Sequence, residues 1–179
     1  MKKLIIIAGI AAAGGGIFYW TRQPTPPEVT NSPAPVNDYK NISYEVEGES
    51  VQLRNGTSES EAAPGSAEMI TTEYFGNEVK ADFNNDGTQD VAFILTQSGG
   101  GTGVFYYVVA ALKTFDGYKG TNAIILGDRI APQTTEFHNG QILVNYADRK
   151  PGEPFSADPS VGVSKYFKVS GGKLLEVPR

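Results

Sequence analysis

Read for its alternation of apolar and polar positions, the chain changes character twice. From Leu4 to Trp20 it is uncharged and largely apolar. From Thr21 to Asn37 it is polar and punctuated by Pro24, Pro26, Pro27, Pro33 and Pro35. From Asp38 onward the period is two. Ile42, Tyr44 and Val46 alternate with Ser43, Glu45 and Glu47, and Val51 with Leu53 continues the pattern after a turn at Gly48. Such alternation predicts half-buried strands. Asn55-Gly56 marks the next turn, and the small, acidic residues 57–67 read as a surface loop. A short helix over residues 67–71 competes there with strand-favouring Thr71, Thr72, Tyr74 and Phe75. Two later runs, Val91–Thr96 and Val104–Leu112, are strongly apolar, with Val91–Leu95 and Val104–Leu112 apolar at every position. Strands of this kind are covered on both faces, so they belong at the centre of a sheet. Ser98–Gly103 (SGGGTG) joins them as a wide hairpin connection. Further strands are expected near Ile124–Leu126, Thr134–Phe137, Ile142–Tyr146, Val163–Val169 and Leu174–Val177. Their turns are expected at Asp116-Gly117, Gly127-Asp128, Asn139-Gly140 and Gly171-Gly172. No stretch after residue 38 has the 3.6-residue period of a helix. The expected fold is mainly β, an antiparallel sandwich or partly open barrel of about eight to ten strands.

The three regions suggest an organisation. Lys2 and Lys3 ahead of the apolar run, and Phe18, Tyr19 and Trp20 at its end, fit a signal-anchor helix over residues 1–22 with a cytoplasmic N-terminus. Seventeen residues give a helix of about 25 Å, just long enough to span a thin bilayer. Ala11 and Ala13 keep the alternative of a cleaved signal peptide open, which would give a secreted protein. Residues 23–37 then form a proline-rich stalk that favours extended polyproline II structure. Residues 38–179 form the folded domain, placed outside the cytoplasm.

Composition narrows the chemistry. The 179 residues contain no cysteine and one histidine, His138. Disulfides, thiolate metal sites and cysteine nucleophiles are excluded. The domain carries 12 basic against 19 acidic residues once Lys2, Lys3, Arg22 and Glu28 are set aside. That balance disfavours nucleic acid and anionic membrane surfaces as partners. No serine stands in a nucleophile-elbow context, and His138 sits beside a turn, where catalysis is not expected. Asp128-Arg129 and Asp148-Arg149 read as surface ion pairs or loop anchors.

The chemistry that remains lies between Asp82 and Asp90. Oxygen side chains recur on alternate residues, Asp82, Asn84 and Asp86, then Asp90, with the Thr88 carbonyl between. Calcium takes six to eight oxygens, and a tight loop with alternating donors wraps them around one ion. Gly87 allows the sharp turn that returns the chain, and Asn85 tolerates a left-handed conformation. Phe93 stands where an EF-hand carries its bidentate glutamate, so the loop is not an EF-hand. The competing interpretation is a metal-free turn, since Asp, Asn and Gly are what turns use. Magnesium suits the loop less well because it demands stricter octahedral geometry.

D-x-N-x-D-G-x-x-D running into an apolar strand resembles the aspartate-rich calcium loops of FG-GAP repeats and dockerin modules. That resemblance implies calcium held by Asp82, Asn84, Asp86 and Asp90 with the Thr88 carbonyl. The wider stretch, DFNNDGTQDVAFILTQ with GTGVFYYVVAAL, ILGDRI and NYADR, resembles a group of small exported bacterial proteins, membrane-anchored or lipoprotein-like. It brings no activity with it. The expected function is a non-enzymatic, membrane-anchored β domain with a structural calcium loop, acting as an envelope interaction or structural module with a protein partner. The alternative is an envelope hydrolase acting on glycan or ester.

Overall fold

A computed structural model describes residues 38–178. The expected anchor helix and proline-rich stalk lie outside the described residues. Among the described residues, no helix is long and apolar enough to cross a membrane.

The domain is built from antiparallel sheets. After a short 3-10 helix, Tyr39–Asn41, come β1 (Ser43–Val46), β2 (Glu49–Gln52), β3 (Thr57–Glu61), β4 (Met69–Ala81), β5 (Asp90–Ser98) and β6 (Val104–Thr114). They are followed by β7 (Gly117–Gly120), β8 (Ile124–Asp128), β9 (Ala131–His138), β10 (Gln141–Asp148), β11 (Val161–Ser170) and β12 (Lys173–Glu176). These 12 strands among the described residues exceed the eight to ten expected. The difference comes from short polar strands that carry no apolar period. β3 (TSESE) occupies the first half of the expected 57–67 loop, and β7 (GYKG) follows the Asp116 turn. The competing helix at 67–71 is strand β4 from Met69 onward.

The central sheet has the order β3-β4-β5-β6-β7, with β8 also paired to β6. A second sheet, β12-β11-β10-β9, and the β1-β2 hairpin make up the rest. Two separate cores explain why Val91–Leu95 of β5 and Val104–Leu112 of β6 are apolar throughout. Ala92, Ile94, Val108 and Ala110 face Ile142, Val144 and Phe167 of the second sheet. Val91, Phe93, Leu95 and Val109 face Tyr44, Val46 and Leu53 of the hairpin side. Alternate residues of a strand point to opposite faces, so a sheet covered twice has no polar position to give.

Several contacts hold the hairpin on. Gly120 allows β1 to approach β7 so closely that a Cβ there would run into the Ser43 carbonyl and the Tyr44 ring. Residues 121–123 join both sides. Thr121 O accepts from Glu45 N, and Ala123 N donates to Glu45 O. The Asn122 side chain exchanges two hydrogen bonds with the Leu174 backbone. At the start of the domain, Tyr39 and Tyr74 both donate their hydroxyls to Glu78 Oε2, at 2.7 and 2.9 Å. Lys80 Nζ lies 3.1 Å from Glu78 Oε1, and the Lys40 ammonium sits 3.8 Å from the centre of the Tyr74 ring.

This clamp has a pH signature. Partial burial pushes the Glu78 carboxyl upward, but the bonds from Tyr39, Tyr74 and Lys80 outweigh it and leave it below its ordinary value. Burial, with Glu78 as acceptor, pushes the Tyr74 hydroxyl up to about 12. A carboxylate whose folded value is depressed adds stability above its unfolded value, and that stability is lost as pH falls through the folded one. Glu78→Gln is therefore expected to cost about 1 kcal/mol at neutral pH, charged hydrogen bonds being discounted for solvent exposure. The difference from wild type should vanish in acid below the folded-state value. Urea melts of both proteins from pH 7 down to pH 3 measure it, and a pH-independent difference would mean the clamp does not rely on charge.

Candidate functional site: the Asp82–Asp90 loop

The loop leaves β4 at Ala81 and enters β5 at Asp90, two residues that face one another in the ladder. It is thus an elaborated hairpin connection, fixed at both ends by pairing. Asn85 (φ 61°) and Gly87 (φ 86°) both take the left-handed conformation expected of them. These two residues fold the chain back on itself and turn its amides inward.

Asp82 Oδ1 accepts from Asp86 N at 3.1 Å, and Oδ2 from Gly87 N at 2.8 Å. Asn84 Oδ1 also accepts from Asp86 N, while its amide nitrogen donates to Asp86 Oδ2 at 2.8 Å. Asp86 Oδ1 takes both the amide and the hydroxyl of Thr88. Those hydrogen bonds, Thr88 first and then Asn84, hold the Asp86 carboxyl below the usual carboxylate range. Asn84, Asp86 and Thr88 are exposed, and Asp82 is half-buried.

Asp90 stands apart from them. It is fully buried. One oxygen accepts from Phe83 N at 3.0 Å and the other from Lys113 N at 2.8 Å. The carboxylate thereby closes the base of the loop and ties it to the far end of β6. Burial raises its pKa, more than the two amides lower it, and the charges of Asp86 and Asp82 push the same way. The loop spacing singles out Asp90 as a donor and does not show this second role. The signal that marks it is an acidic residue at the first position of a strand buried on both faces.

The donors suit a hard cation in type, carboxylates and an amide oxygen, although Asp86 Oδ1 already accepts two bonds. Their placement is looser than their spacing implies. Among the described residues, no group of three Asp, Glu or His side chains stands close enough to hold a metal ion. The loop carboxylates are turned toward the loop's own amides.

No family model, curated protein or solved structure matches the chain.

The other candidates lie elsewhere. The glycine connection 99–103 sits at the opposite end of β5 from the loop, and Gly100 N donates to Glu68 Oε1 at 2.8 Å. His138 is exposed beside Asn139-Gly140, its Nε2 2.9 Å from Glu136 Oε2. Arg129 pairs with Asp128 at 2.6 Å. The Arg149 guanidinium instead binds carbonyls of Ala157 and Arg129, pinning the 149–160 loop. Gly127 and Asp128 belong to β8, and the bend follows at Arg129 (φ 49°). Tyr107 is buried and donates to Glu47 Oε1 at 2.8 Å. Tyr106 packs edge-on against Phe75.

Proposed function

We propose that the protein is a non-enzymatic interaction or structural module, a β-sandwich carried outside the cytoplasm on a membrane anchor and stalk, whose Asp82–Asp90 loop takes up one structural calcium ion. The sandwich reading is supported by the two cores, one on each face of the central sheet. The anchor and the location rest on the apolar start and the prolines. The observation that carries the ion is electrostatic. One nine-residue loop holds three carboxylates, and the Asp90 pKa is raised first by burial and then by the charges of Asp86 and Asp82. A divalent cation beside Asp82, Asn84, Asp86 and the Thr88 carbonyl would relieve that repulsion. It would also replace bonds that the Asp82 and Asp86 carboxylates make within the loop.

Calcium bound to the folded state alone raises stability by RT ln(1 + [L]/Kd), about 2.7 kcal/mol at a hundredfold excess over Kd. The expected result is a melting temperature that rises with calcium after chelator treatment, and a rise that is lost in Asp86→Ala. Thermal melts of both proteins, with chelator and with millimolar calcium, test this. Identical shifts in the two proteins, or none in wild type, would remove the metal from the reading.

A further inference from the structure

The chain passes from β2 to β3 through a two-residue turn, Asn55 (φ 52°) and Gly56 (φ 86°). Arg54 and Thr57 flank it and exchange both backbone bonds, at 2.8 and 3.1 Å. In an ordinary hairpin the following residues would go on pairing. Here the strands part: β2 joins β1, and β3 joins β4. They open as a V from the Arg54–Thr57 bridge, with their unpaired edges facing one another. The opening is a cleft in two sections that share Ser58. One section, of about 410 Å3, lies by the apex at Gln52, Arg54 and Thr57. The other, of about 520 Å3, lies farther out between Glu49–Val51 and Ser60, bordered by Ile70 and Gln97.

Ladder geometry says which backbone groups look into it. Leu53 N donates to Ile42 O, so Glu49, Val51 and Leu53 are bonded toward β1, and Ser50 and Gln52 turn outward. Tyr74 N donates to Gly56 O and Ala62 N to Glu68 O, so Ser58 and Ser60 are bonded toward β4. The N–H and C=O of Glu59 and Glu61 then turn outward from β3. An exposed edge of this kind is a template for another strand, and proteins that do not use one usually cover it.

We propose that this cleft is a docking slot in which an extended, basic segment of another protein adds to the free edge of β3 as a further strand. Main-chain bonds to Glu59 and Glu61 would hold the segment, in the manner of strand addition. Charge selects the occupant. Glu47, Glu49, Glu59 and Glu61 border the cleft, and Arg54 at the apex is, among the described residues, the one basic residue lining it. A second copy would bring its own acidic β3, TSESE, against these carboxylates. The chain's own residues 23–37 hold five prolines, which lack the donors that a ladder requires. A partner segment alternating lysine or arginine with small apolar residues answers both the edge and the charge.

The slot gives the interaction reading above a partner of stated chemistry and does not depend on the calcium loop. Its test therefore runs in chelator, so its failure and that of the calcium titration can be told apart. The full chain is titrated with a fluorescent nine-residue peptide alternating lysine and valine, and with a twin N-methylated throughout. Glu59→Pro removes an outward donor while leaving the bonds to β4, and Glu49→Lys/Glu61→Lys reverses the border charge. Thermal melts check that both variants fold. The expected result is saturable binding of the first peptide, no binding of the twin, and at least a tenfold weaker Kd for each variant, about 1.4 kcal/mol. No binding by wild type, equal binding of the twin, or an unchanged Kd in Glu59→Pro would overturn the proposal.

Discussion

Phe93→Ala is expected to destabilise the domain by about 3–5 kcal/mol, the usual range for removing a fully buried aromatic side chain. Phe93 has no exposed surface and lies at the centre of a group of rings. The centroids of Tyr74, Tyr44 and Tyr39 lie 5.2, 5.5 and 5.6 Å from its own, with Tyr44 edge-on. These neighbours come from β4, β1 and the 3-10 helix, so one side chain joins the central sheet to everything laid on that face. The site cannot collapse to fill the gap, because Tyr44 and Tyr39 are held by their own bonds. Tyr44 donates its hydroxyl to the Tyr39 carbonyl at 2.7 Å, and Tyr39 donates to Glu78. Ile94 is equally buried but faces the second sheet, so Ile94→Val serves as the comparison, at about 0.5–1.5 kcal/mol. Equilibrium urea unfolding of the three proteins measures both effects. A loss below about 1 kcal/mol for Phe93→Ala would show that the hairpin layer contributes little to global stability.

The fold was legible where side chains carry the period. Ile42 to Leu53, the two apolar runs and the Asn139-Gly140 and Gly171-Gly172 hairpins all form strands and turns where their pattern places them. Continuous apolarity in Val91–Leu95 and Val104–Leu112 was the most informative signal, because a sheet covered on both faces requires it. What stayed hidden was held by backbone rather than by side chains. β3 has no apolar residue, and its place is set by its ladder to β4. β7 begins and ends in glycine, and the second of these permits the close approach of β1. Partner choice was equally invisible. Val51 and Thr57 stand six residues apart around an Asn-Gly turn, yet their strands join different sheets. In the candidate site the turn chemistry was readable from residue type and spacing. The anchoring of Asp90 was not, because the Lys113 amide it accepts from lies 23 residues away on β6.

Asp90 supplies the second large effect and separates two jobs within one loop. Asp90→Ala removes the acceptor of Phe83 N and also the one taken by Lys113 N. A buried donor left without a partner costs about 1–3 kcal/mol, so the buried Phe83 amide alone places the loss at about 1–3 kcal/mol, and the partly buried Lys113 bond adds to it. Asp90→Asn keeps one acceptor but turns an N–H donor toward the other amide, giving about 1–3 kcal/mol. These losses come from backbone groups, so they should appear in full in chelator. Asp86 behaves differently, since it is exposed and bonded only to its own loop. Asp86→Ala is expected to lose its calcium response while changing chelator stability far less than either Asp90 variant. Urea melts of the Asp90 variants in chelator, set beside Asp86→Ala, make the comparison. If Asp90→Ala matches wild type in chelator, the carboxylate does not anchor the loop. If both Asp90 variants lose the stated amounts there, the strand end is fixed before any ion arrives.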